Sequence, residues 1–185
     1  VAHITDDELL AQAKKFDQNA LALIYNRYST ALYQYAYRQT GRQQTAEDCV
    51  AETFTRFLDM LKRYKGPRKH LRAYLYRIAH NWITDQFRKP GAEVGLDDKI
   101  ELIEEEQVST EGKIIQQEMA NRLRKHLQKL NPDQRQVIVL KNLEGMNNSE
   151  AAEIMGRNVG SVKALNSRAL NNLRKFIYAD ERNQS

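Results

Sequence analysis

Apolar residues along this chain recur at intervals of three and four over long stretches, and the recurrence stops at glycine, proline or a small polar residue. That rhythm predicts helices and no strands. A short helix spans residues 6–15. A longer one spans 19–39, with Leu21, Ile24, Tyr25, Tyr28, Leu32 and Tyr35 along one side and Gly41 as its stop. Thr45 with Asp48 three positions on reads as a capping box that opens a third helix, whose buried face is Val50, Phe54, Phe57, Leu58 and Leu61. Gly66-Pro67 divides it from a fourth that runs from Arg68. There Leu71, Leu75, Ile78 and Trp82 form an apolar face, and Tyr74, Arg77, Asn81, Asp85 and Arg88 a polar flank beside it. Pro90-Gly91 breaks the pattern again.

The C-terminal part is punctuated more sharply. Asn131-Pro132-Asp133 is a cap followed by proline at the first helical position, and Val137, Ile138 and Leu140 carry that helix toward Gly145. Asn147 with Glu150 caps a short helix ended by Gly156, and Asn158 with Ser161 starts the next. Two short helices joined by a tight glycine-containing turn predict a helix-turn-helix. On its second helix Val162, Leu165, Ala169, Leu173 and Phe176 point inward. Lys163, Ala164, Ser167, Arg168 and Asn171 point outward, the mixture of donors, acceptors and one small residue that a major-groove reader presents. The expected fold is all-α: two small helical domains, residues 1–90 and 118–185, joined by a flexible acidic linker, 91–117, with one weakly helical patch.

Charge sharpens that division. Residues 1–90 hold 15 Lys/Arg against 9 Asp/Glu, residues 91–118 hold 2 against 9, and residues 119–185 hold 12 against 6, so two basic bodies flank an acidic connector. A sequence pI near 9.3 points toward nucleic acid. The lone Cys49 excludes a disulfide framework and fits a reducing cytoplasm, and neither an apolar run of membrane length nor a signal-peptide core is present. The four histidines are scattered, with no metal-ligand spacing, phosphate-cradling loop or nucleophile elbow, so the chain is expected to be neither an enzyme nor a cofactor binder.

Six Lys or Arg residues stand within the eleven positions 62–72, which include Lys62, Arg63, Lys65, Arg68 and Lys69 with Tyr64 among them, and the amphipathic helix follows directly. Cations that follow a backbone, rings that stack on bases and amides that read base edges suit single-stranded nucleic acid. Trp82 and the tyrosines from Tyr25 to Tyr37 fit a packed core and its rim better than a ligand. Glu47 and Asp48 fit the positive end of a helix dipole, which does not extend to Glu52 or Asp59. Those two leave open a face that meets a basic partner.

The order of parts resembles an extracytoplasmic-function (ECF) sigma factor of bacterial RNA polymerase. AEDCVAETFTRFL is similar to the family's helix that grips the polymerase clamp, HLRAYLYRIAHNWITDQFRK resembles its promoter-melting segment, and LNPDQRQVIVLKNLEGMNNSEAAEIMGRNVGSVKALNSRALNNLRKF resembles its C-terminal DNA reader. The resemblance implies that Glu47, Asp48, Glu52 and Phe54 bind core polymerase. It implies that Lys62 to Lys69, including Tyr64, with Tyr74, Arg77, Asn81 and Arg88, hold the minus-10 strand, and that Lys163, Ala164, Ser167 and Arg168 read the minus-35 element, with Asn171 beside them. It also implies an anti-sigma factor as a further partner. Ala51, where the family usually has Gln, Thr45, Ala151 and Arg157 depart from the pattern. The rival reading is a stand-alone helix-turn-helix regulator that binds duplex DNA without polymerase.

Overall fold

The computed structural model describes residues 4–89 and 110–183, and every regular element among them is helical. Helix α1, Asp6–Ala13, is closed at its start by a reciprocal capping box between Thr5 and Glu8. Arg27 donates to Asp6 at 2.6 Å and the Tyr28 hydroxyl donates to the same carboxylate, so α1 is tied to α2, Gln18–Thr40. Asp17 caps α2 through the Ala20 N–H at 2.8 Å, and Gly41, at φ +72°, ends it in the left-handed conformation that glycine adopts without steric cost.

Helix α3, Gln43–Lys62, corrects the expected capping box: the helix is already formed at Thr45, its N-cap is Arg42, and no side chain caps it. Gly41 reverses the chain so tightly that α3 starts three residues early. Glu47 and Asp48 therefore lie outside the first turn, and the dipole accounts for neither. The expected face holds at Val50, Phe57 and Leu61, whereas Phe54 and Leu58 are half-buried and Ala46, Cys49 and Thr53 complete the core side. Side chains of the Phe57 and Leu61 kind contribute about 1.5–3 kcal/mol each when removed from water.

Helix α4, Leu71–Arg88, starts three residues later than expected, with His70 at φ +58° before it. Its polar flank agrees with the pattern, but its apolar face is rotated. Leu71, Leu75, Tyr76, Ala79 and Ile83 are buried, and Ile78 and Trp82 are only half-buried. The reason is that α4 packs on two sides, against α3 and against the C-terminal half. Tyr25, expected on the buried stripe of α2, is likewise 49% exposed.

Helix α5, Thr110–Gln128, begins inside the stretch read as linker, while positions 91–109 of that stretch lie outside the described residues. Asn131 caps α6, Pro132–Ile138, which runs into one wide π turn, Val139–Leu143. Helix α7, Asn148–Met155, has the expected capping box from Asn147 and Glu150 and the left-handed Gly156 stop. Helix α8, Val159–Asn183, follows, with Asn158 accepting the Ser161 N–H at 2.7 Å. Helices α6, α7 and α8 enclose Val137, Ile138, Leu140, Ile154, Val162 and Ala169, and α7 also packs on α4.

Candidate nucleic-acid and partner interfaces

Three surfaces gather the residues singled out by the sequence. On α3, Glu47 and Asp48 are exposed and Glu52 is partly so. Each is steadied by a neighbour one turn away: Gln43 donates to Glu47 at 2.9 Å, Gln44 to Asp48 at 3.0 Å, and Arg56 to Glu52 at 2.6 Å. Such intrahelical pairs are worth only about 0.2–0.5 kcal/mol, so a basic partner can replace them at little cost. Phe54 packs half-buried against Tyr25, with ring centroids 4.8 Å apart. Beside it Tyr25, Ser29, Thr30, Tyr33, Glu47, Val50 and Ala51 line a shallow groove between α2 and α3, where the small Ala51 side chain leaves room.

The second surface is an open groove of about 390 Å³ between α3 and α4, lined by Arg56, Asp59, Met60, Arg63, Tyr74, Arg77, Ile78 and Asn81. Of the expected strand-binding residues it brings together Arg63, Tyr74, Arg77 and Asn81. Tyr74 stands edge-on to Phe57 at 6.4 Å, and burial raises its hydroxyl pKa. Lys62, Tyr64, Lys65, Arg68 and Lys69 are exposed at and beyond the end of α3, and Tyr64 is 94% exposed. Gly66 packs closely in that loop: a Cβ there would lie 2.7 Å from Leu61 Cδ2, so a larger residue would have to displace that side chain. Arg88 is not part of the groove. It lies at the far end of α4, 4.0 Å from Asp85. Asp59 and Ile78 were expected on a partner face and on an apolar face, and Arg56 and Met60 were missed because their signal is relational: each lies within one turn of a residue that was named.

The third surface is the outer face of α8. Lys163, Ala164, Ser167, Arg168 and Asn171 are all exposed, and the Arg168 guanidinium folds back to the Ala164 carbonyl at 3.4 Å. Opposite them Val162, Leu165, Ala169 and Leu173 are buried, so the register of this helix is fixed by its core side. The preceding turn is tied down where it departs from the family pattern. Arg157 pairs with Asp133 at the start of α6, and Ala151 is fully buried.

Two family models match separate stretches of the chain. Sigma-70 region 2 matches residues 24–92, and Sigma-70, region 4 matches residues 120–173. The ECF RNA polymerase sigma factor BldN of Streptomyces coelicolor is 30% identical over 177 residues, spanning 95% of this chain and 67% of that protein. The ECF RNA polymerase sigma factor SigW of Bacillus subtilis is 33% identical over 177 residues, spanning 91% and 94%. The chain belongs to the ECF sigma factor family.

Solved relatives of this sigma factor include CnrH in complex with the cytosolic domain of CnrY, at a TM-score of 0.72 and 29% identity over 95% of this chain and 98% of that one. The sigma factor RpoE from Bartonella quintana, in complex with the anti-sigma factor NepR, has a TM-score of 0.64 and 27% identity over 90% and 99%. Sigma factors are non-enzymatic initiation factors of transcription. Among the described residues of this one, no helix is long and apolar enough to cross a membrane. The two matched regions place the α3 and α4 surfaces in region 2 and the α8 surface in region 4.

Proposed function

We propose that this sigma factor works in the bacterial cytoplasm, binding core RNA polymerase through the carboxylate face of α3, reading the minus-35 element with α8 and holding the unpaired minus-10 strand in the groove between α3 and α4. The observation that carries the reading is the convergence of Arg63, Arg77, Tyr74 and Asn81 on one groove directly beside the carboxylate face. Cations for phosphates, a ring and an amide for bases are what an extruded strand requires, and a stand-alone duplex-binding regulator has no use for them. Unstacking and unpairing a base costs a few kcal/mol, which contacts in the groove and phosphate neutralisation offset. The free protein is therefore a poor promoter binder, and polymerase supplies the remaining contacts. The two solved relatives bound to CnrY and NepR support a regulatory protein of the anti-sigma kind as the other partner.

Run-off transcription with bacterial core polymerase on a library of promoter fragments tests the assignment. Discrete starts are expected that need this protein and that fall at least tenfold with the double variant Asp48→Lys, Glu52→Lys, whose folding is checked by circular dichroism and a cooperative melt. High-affinity, sequence-specific duplex binding by the protein alone, with no binding to core, would establish the stand-alone regulator instead.

A further inference from the structure

The groove between α3 and α4 holds a residue that phosphate binding does not explain. Among the described residues four charged side chains line it: Arg56, Arg63 and Arg77 suit a polyanion, whereas Asp59 repels one. Nothing in the helix calls for an acid at this position. Asp59 stands in the last turn of α3, where the negative end of the helix dipole disfavours a carboxylate, and aspartate is among the weaker helix formers. Its ion pair does not account for it either. Lys62 lies 3.9 Å away with both side chains more than half exposed, and a pair of that kind contributes little. Arg56, one turn back, is engaged with Glu52 at 2.6 Å instead. The Asp59 carbonyl accepts the Arg63 N–H at 3.2 Å, so its backbone is held in the helix while its side chain stays exposed in the groove.

A carboxylate is an acceptor only, so what it can take from a nucleic acid is an N–H of a base. An unpaired strand offers those groups on the Watson–Crick edge, which a duplex conceals. The bases differ there. Guanine alone presents two donors side by side, N1–H and the N2 amino group, which match the two oxygens of a carboxylate. Cytosine and adenine each set an acceptor beside their amino group, so the second oxygen would face a lone pair. Thymine has a single N–H between two carbonyls. The rest of the groove completes a base site: Tyr74 supplies a ring, and Arg77 and Asn81 supply donors suited to the O6 and N7 acceptors of the same guanine. Its volume of about 390 Å³ is in the range of sites that hold a small ligand, ~300–1,000 Å³.

We propose that Asp59 determines base specificity in this groove, selecting guanine at one position of the unpaired minus-10 strand by accepting its N1–H and N2–H. The proposal rests on the strand-binding reading above and adds the identity of the base. Asp59 also lies two turns beyond Glu52, about 10 Å along α3, so the competing role is an extension of the polymerase-binding face. That role would act on every promoter alike, whereas base selection acts on one position.

Run-off transcription with core polymerase tests this on a promoter that the protein uses, with each minus-10 position carrying each of the four bases in turn. Wild type, Asp59→Ala and Asp59→Asn are compared, with folding checked by circular dichroism and a cooperative melt, and with core binding measured for each. We expect wild type to favour guanine at one position by at least about fivefold over the other bases, and Asp59→Ala to reduce that preference to within about twofold. Asp59→Asn, whose amide sets a donor beside an acceptor, should move the preference toward adenine or cytosine. Inosine at the same position keeps N1–H and lacks the N2 amino group. It also pairs more weakly with cytosine, so easier melting works against the expected result. Wild-type yield should fall at least about threefold with inosine, and the Asp59→Ala yield should not fall. An unchanged base preference in folded Asp59→Ala overturns the proposal and leaves the strand reading standing. An equal loss on every promoter variant, with weaker core binding, also overturns it and assigns Asp59 to the polymerase face. Wild type that gives no promoter-specific starts overturns the strand reading and this proposal together.

Discussion

His80 shares a hydrogen bond of 3.2 Å with the Tyr35 hydroxyl inside region 2, and burial pushes its pKa down to about 4, with the charges of Asp133 and Arg157 acting in opposite directions. The unfolded value is near 6.5, so the folded state holds the neutral ring and the unfolded state takes up the proton first. The stabilisation is complete above about pH 6.5 and is lost as pH falls from there to about 4, at roughly 1.4 kcal/mol per pH unit and about 3 kcal/mol in all. Denaturant midpoints at pH 7 and pH 5 for wild type and His80→Gln measure it. The variant is expected to lose clearly less stability than wild type over that interval, and identical losses would show that His80 does not titrate with folding. Cys49 behaves consistently with the same burial, which pushes its thiol up to about 12.

Among the elements, those bounded by local chemistry were legible and those shaped by distant contacts were not. Asn147, Glu150, Gly156 and Asn158 each make the local bonds or turns that the sequence implies, because a cap needs only residues within one turn of itself. The outward register of α8 was legible for a similar reason, since its inward apolar residues are continuous. The start of α3 was not, because Gly41 sets it from the preceding helix and Thr45 merely looks like a cap. The face of α4 was misjudged for a different reason: α7 packs on α4 and Tyr76 reaches Glu144, and no periodicity within α4 announces a second neighbour. At this scale the capping box of α7 can be checked directly. Asn147→Ala is expected to cost about 1 kcal/mol, read as a lower melting temperature. It should weaken minus-35 binding only through that loss, so an unchanged melting temperature would mean the cap is dispensable.

At the level of the molecule, the least legible feature was the contact between the regions. Nothing in the hydrophobic pattern singles out Glu144, Arg135 or Gln136, yet Arg135 and Gln136 are each 3% exposed, and Gln136 reaches the Thr84 hydroxyl of α4 at 3.2 Å. Polar residues give no periodic signal when they are buried by pairing with other polar residues. The proposed division of labour rests on patterns visible in the sequence, because the basic stretch after α3, the carboxylates on α3 and the donors on α8 are each contiguous on a helix or loop. The account's central claim is that this division is real: α8 finds the duplex, and the α3–α4 groove holds the strand that opens. The direct test is fluorescence of 2-aminopurine placed in the minus-10 element of a promoter found by run-off, in the presence of core polymerase. Arg77→Ala with Asn81→Ala, both exposed positions, is predicted to abolish the fluorescence gain while leaving core binding and minus-35 protection in place. Full opening by that variant would contradict the account and remove the groove from promoter melting.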